Sequence, residues 1–167
     1  MAFFAVAQAA SVRNGGQSAA DSAALAAARD DRNRFFDGFL DSLDDGDSWH
    51  DWLDLTEPLA PDGCDAAGDF AGRNDSTVVS CSPVLRDEDP GYTVTIKTNF
   101  DTGDTVIPGA DNRTGKAEST AVVQPRCDFE LDATDIEITC DGDEFEIDPD
   151  DDIDLEPRDL FTVVLVD

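Results

Sequence analysis

With 167 residues, the chain is long enough for one domain with its own core carried on an extended helix. Its 39 acidic against 11 basic residues leave a formal net charge of -28, which excludes nucleic acid as a partner, since phosphate binding needs clustered Lys and Arg, and sets the chain against anionic lipid surfaces. Such a charge keeps a protein soluble, strains the compact state by self-repulsion and makes salt or divalent cations helpful.

Residues 2–10 are nearly all apolar. Residues 17–29, QSAADSAALAAAR, are so rich in Ala and free of Pro that they are expected to be helical. Ala20, Ala24 and Ala27 share one face with Ala23, a thin surface that a neighbouring helix or sheet can approach closely. Asp21 sits among them and is expected to face water. Between the two segments Asn14, Gly15 and Gly16 interrupt the pattern. Two glycines cost about 1 kcal/mol each against Ala in a helix interior, so a bend or hinge is expected there.

An apolar N-terminal helix that runs into Q-x-A-A-D-x-A-A-L-A-x-A-R resembles the start of the TadE/TadG-like minor pilins and pseudopilins of the tight-adherence (Tad/Flp) pilus machinery. The positions that carry it are Gln17, Ala19, Ala20, Asp21, Ala23, Ala24, Leu25, Ala26 and Arg29. The resemblance covers residues 1–30 and, more loosely, the strands around residues 92–123. It implies a minor pilin or pilus-assembly component with no catalytic residues, whose Ala motif packs against other pilin-like subunits or assembly proteins. It further implies that the helix reaches the membrane and that the head lies outside the cell. Family members place a basic leader and a spanning helix of about 20 apolar residues before this motif, as a bilayer requires. Here residues 2–10 cover less than half of the hydrocarbon core, so Met1 is expected to be an internal start. No basic n-region or cleavage site marks a secretory signal peptide. The expected division is a helix over residues 1–30, part anchor remnant and part pilin-like motif, and an acidic head over residues 31–167.

Residues 29–55 form a second helical region. Phe35, Phe36, Phe39, Leu40 and Leu43 recur at spacings of three and four opposite Asp37, Asp41 and Asp44, and Gly46 ends the run. Trp49, Trp52, Leu53 and Leu55 follow as a short aromatic segment, expected to cap the head's core, before the breakers of residues 57–63. His50 is the only histidine. With one histidine and no G-x-S-x-G, no nucleophile and base can be assembled, and no Gly-rich phosphate loop is present.

From residue 77 onward the period changes from helix to strand. Candidate strands cover residues 77–81, 92–100, 105–107, 117–123, 127–131, 136–140, 144–147 and 160–166. Tyr92, Val94 and Ile96 alternate with Thr93, Thr95 and Lys97, the pattern of a half-buried strand. Residues 98–116 read as a long excursion. The four cysteines lack a C-x-x-C pair, which argues against zinc. An even count in a surface protein reads as two disulfides with three possible connectivities; Cys64 with Cys81 and Cys127 with Cys140 is expected, since each pair closes a local loop. The competing state is four reduced thiols in a cytoplasmic protein.

Residues 127–147 form the sharpest local expectation, a meander. If Leu131 faces Ile136 across a turn at residues 132–135, the same register sets Phe129 opposite Ile138 and Cys127 opposite Cys140. Asp141-Gly142 then turns tightly, setting Ile138 against Phe145 and Ile136 against Ile147. The other face carries Asp128, Glu130, Glu137, Glu144 and Glu146. The densest charge run, residues 148–156, is expected to be a solvated acidic loop; as its alternative it offers Asp148, Asp150, Asp152 and Asp154 as oxygen ligands that would suit calcium, although the EF-hand pattern fails at Ile153 and Asp159. Residues 160–166, LFTVVLV, are expected to be a strand buried on both faces.

The fold class expected is α+β: an N-terminal Ala-rich helix followed by a mainly antiparallel β-sheet head. Two other functional classes fit the composition. One is a secreted, calcium-stabilised binding or adhesion module; the other is a hydrolase with paired carboxylates, which needs two raised carboxylates in one cleft.

Overall fold

The computed structural model describes residues 2–46, 48–101, 114–131 and 135–167. Helix α1, Ala2–Asp45, is unbroken over 44 residues, roughly 66 Å at about 1.5 Å per residue. The expected hinge at Asn14, Gly15 and Gly16 is absent, and the reason is contact with the sheet. A Cβ on residue 15 would lie 2.8 Å from the Phe100 ring, and one on residue 16 would lie 3.3 Å from Thr98. The glycines admit the sheet to the helix surface, and that packing offsets their intrinsic helix cost of about 1 kcal/mol each. The helix also runs straight through residue 30, where a boundary between stalk and head was expected. It ends where expected, at Gly46, whose φ of +80° suits the left-handed position after a helix and whose N–H reaches the Ser42 carbonyl at 3.2 Å.

Two short helices follow, α2 (Trp49–Leu53) and α3 (Cys64–Arg73). The chain then enters strands β1 (Ser76–Arg86), β2 (Asp89–Asp101) and β3 (Thr114–Pro125). β4 (Cys127–Phe129), β5 (Ile136–Cys140) and β6 (Asp143–Ile147) form the small meander, and α4 (Pro157–Leu160) leads into β7 (Phe161–Val166). Two antiparallel sheets result, ordered β1-β2-β3-β7 and β4-β5-β6. The protein is α+β: a long N-terminal helix packed on antiparallel sheets.

The meander matches its expected register, with Cys127 opposite Cys140, Phe129 opposite Ile138, Ile138 opposite Phe145 and Ile136 opposite Ile147. The expected turn residues 132–134 and the expected strand at residues 105–107 lie outside the described residues. Leu131 departs from expectation: it is 65% exposed and contributes nothing to the core. Two tight turns share one geometry. Asp141 and Gly142 both have positive φ between the paired Cys140 and Asp143, as do Asp87 and Glu88 between the paired Arg86 and Asp89, the requirement of a type I′ hairpin.

β7 is an edge strand, paired only with β3. It is therefore not buried on both faces as expected; Leu165 is exposed and Val163 and Val164 are half-buried. The aromatic stripe, by contrast, lies inward: Phe35, Phe36, Phe39 and Leu43 are buried while Asp37, Asp41 and Asp44 are exposed. Each large apolar side chain so buried contributes about 2–3 kcal/mol relative to exposure. Trp49 reaches across to Phe129 with ring centroids 5.1 Å apart and Phe35 meets Phe161 at 6.2 Å, so one core spans the helix and both sheets.

Candidate functional site: the helix–sheet interface

The Ala motif forms the contact between α1 and its own sheet. Ala19, Ala20, Ala23, Ala24, Ala27 and Ala28 are fully buried and Ala26 nearly so, against Tyr92, Val94 and Ile96 of β2 and Ala121 and Val123 of β3 in the same core. Methyl-only side chains let the helix backbone sit close to two strands and α3 at once. The surface that the pilin resemblance assigns to neighbouring subunits is thus covered within the chain. Leu25 is half-buried and Arg29 exposed. Exposed Gln17 donates from Nε2 to Asp21 Oδ1 at 2.8 Å and to the Glu118 carbonyl at 3.4 Å, so half-buried Asp21 has a side-chain partner rather than water alone.

Before Val12, the first buried side chain among the described residues of α1, the described side chains Ala7, Ala10 and Ser11 are exposed. These turns of helix carry the apolar run of residues 2–10. No helix among the described residues is long and apolar enough to cross a membrane.

Farther along the interface lies a buried polar contact that periodicity cannot reveal. The Tyr92 hydroxyl, fully buried, donates to Asp31 Oδ1 at 3.1 Å and accepts the Gly63 N–H at 3.2 Å. Arg34 also binds Asp31 Oδ1, at 3.3 Å, and donates to the Ala60 carbonyl at 2.5 Å. One carboxylate therefore ties α1 to β2 and to the loop before α3. Burial raises the Asp31 pKa, opposed by the Tyr92 hydroxyl and Arg34. Burial also pushes the Tyr92 phenol up to about 12, with neighbouring Asp31 adding to it. Beside this contact a cleft of about 210 Å³ opens between Leu55, Pro58, Pro83 and Pro90. Asp31 and Glu57 both line it, while Asp54, the other carboxyl that burial raises, does not.

Both expected disulfides form, Cys64–Cys81 and Cys127–Cys140. The first pins α3 to β1 and the second staples β4 to β5. Two disulfides indicate an extracytoplasmic setting. His50 sits against the Trp49 and Phe129 rings and contacts Asp51 at 3.2 Å, a packing position. The candidate calcium ligands are not gathered: among the described residues no group of three or more His, Cys, Asp or Glu can hold a metal ion. Asp148, Asp150, Asp152 and Asp154 are strung along an exposed run, in which Asp148 Oδ1 accepts the Asp150 N–H at 3.0 Å.

No family model, no curated protein and no solved structure matches the chain. Its class rests on its own geometry: an α+β, disulfide-bonded, strongly acidic protein whose first helix is the spine of the core.

Proposed function

We propose that the chain is a pilus-associated subunit of the tight-adherence type, a minor pilin or assembly component that makes or breaks no covalent bond. The observation that carries this reading is the division of α1 at Val12. C-terminal to it the helix is locked into a disulfide-stapled head; N-terminal to it the helix carries the apolar run of residues 2–10, in which the described side chains, Ala7 and Ala10, are exposed. An apolar helical run that continues past a packed head is suited to pack among other helices.

In this reading the contacts between subunits fall to the turns before Val12. The Ala motif contributes indirectly, by fixing the helix rigidly to the head so that the two move as one body. The acidic head faces outward, beyond the cell membrane, where disulfides persist. Fractionation of the native cells tests the assignment. The full-length protein is expected with membranes or shed filaments, its head open to added protease; recovery as a freely diffusing protein would remove the assignment.

A further inference from the structure

Two like-charged pairs stand directly opposite each other across strands, one in each sheet, and their signs are opposite. Lys97 of β2 is the register partner of Lys116 of β3; both are exposed, and they are the only lysines of the chain. Glu137 of β5 is the partner of Glu146 of β6, both exposed, with Glu144 and Asp128 on the same face through their pairing with Thr139. Like charges directly opposite in a sheet are destabilising. None of the four side chains forms an ion pair among the described residues.

The lysines lie on the face of the four-stranded sheet turned away from α1. Their sequence neighbour Ile96 is fully buried towards the helix, and the period of two sends Lys97 and Thr95 to the other side. Hydroxyls dominate that face: Thr93 bonds Thr120 at 2.7 Å and Thr95 bonds Glu118 at 2.9 Å. A hydroxyl-rich face that carries both lysines of the chain beside the Glu118 carboxylate is an unusual feature in a chain of net charge -28.

We propose that the two faces meet between copies of this chain, the Lys97–Lys116 face of one molecule seating on the Glu137–Glu146 face of the next. Residues directly opposite in antiparallel strands have Cβ atoms about 4.5–5.5 Å apart, so the two ammonium groups and the two carboxylates are presented on a common spacing and pair two to two. Each contact removes both internal repulsions at once. The remaining charge opposes approach only over a Debye length, about 8 Å at physiological salt. Because the two patches are different surfaces, the contact is heterologous, and repetition gives a row or ring instead of a closed two-fold dimer. The contact uses no residue of α1 and stands apart from the helix-based reading.

Sedimentation velocity of the purified chain over a concentration series at physiological salt tests it, with K97T/K116T and E137T/E146T as variants that keep strand-favouring residues. The wild type is expected to associate with concentration, each variant to stay monomeric, and an equimolar mixture of the two to stop at a one-to-one dimer. A charge-swapped chain carrying K97E, K116E, E137K and E146K is expected to regain association, which covers the case in which a threonine variant folds poorly. A wild type that stays monomeric throughout, variants that associate like it, or a mixture without dimer would each overturn the proposal.

Discussion

The Tyr92 hydroxyl donates to Asp31 at 3.1 Å across 61 residues of sequence, joining the middle of the long helix to the strand on which it lies. The Gly63 N–H completes the contact from the loop before α3. Tyr92→Phe removes two hydrogen bonds and leaves Asp31 buried with Arg34 alone, at a cost of about 1–3 kcal/mol. The pH dependence is more specific. An acid that holds its proton more tightly when folded contributes stability that is complete below its unfolded pKa and lost as pH rises through its folded one. For Tyr92 that window runs from 10.0 up to about 12, and the loss is on the order of 2–3 kcal/mol. Denaturant melts across this range should show the wild type weakening while Tyr92→Phe lacks that component.

Asp31 follows the same sign in acid. Its carboxyl is raised above 3.8 by burial, so a protonated Asp31 favours folding below that value and the advantage is lost as pH rises through the raised pKa. Asp31→Asn, which keeps the shape and can still accept from Tyr92, should flatten the stability profile over that interval. Urea midpoints taken at a series of acidic pH values read the difference directly.

The Ala motif is internal packing, and its variants should report as such. Ala20→Leu or Ala24→Leu forces a larger side chain between helix and sheet at positions with no exposed surface. Overpacking of this kind costs about 1–3 kcal/mol, read as a lowered melting temperature of the head. Ala7→Leu and Ala10→Leu, at exposed positions of the same helix, should shift stability by less than about 0.5 kcal/mol.

Gly38 offers a local test of the aromatic cap. A Cβ there would lie 2.2 Å from the Trp52 ring, so Gly38→Ala must displace the indole despite the better helix propensity of Ala. The melting temperature should fall, and Trp fluorescence should shift towards that of exposed indole.

Each disulfide closes a short loop, with sequence separations of 17 and 13, worth about 3 kcal/mol apiece by loop-closure entropy. Replacing Cys127 and Cys140 by Ser should loosen the small meander, a sheet of three short strands held to the rest by side-chain packing. Hydrogen exchange is then expected to rise in β4–β6 while β2 and β3 stay protected.

Local pattern and pairing account for what the sequence reveals of this fold. The register of residues 127–147 follows from alternation together with the cysteines, and the Asp141-Gly142 turn from its glycine. The equivalent turn at Asp87 and Glu88 has no glycine and gives no such signal, which is why the long β1–β2 hairpin is not visible in advance. α3 is hidden because Gly68 and Gly72 dilute a helical spacing that Ala67, Phe70 and Ala71 still carry. The helix break expected at Gly15 and Gly16 fails because propensity is local while Phe100 and Thr98 arrive from the sheet. The same limit applies to the interface: an Ala stripe shows that something approaches closely, and not that the partner is its own sheet. The Asp31–Tyr92 contact leaves no periodic trace at all.

The central claim is that α1 faces its own head after Val12 and other subunits before it. Photo-crosslinking in native cells, with a benzoylphenylalanine placed at Ala7 or at Arg29 of the full-length protein, tests it most directly. The account predicts crosslinks to other chains in the membrane or filament fraction from position 7, and none from position 29, which is exposed but lies beside the chain's own head. Crosslinks between chains from position 29 with none from position 7 would contradict it.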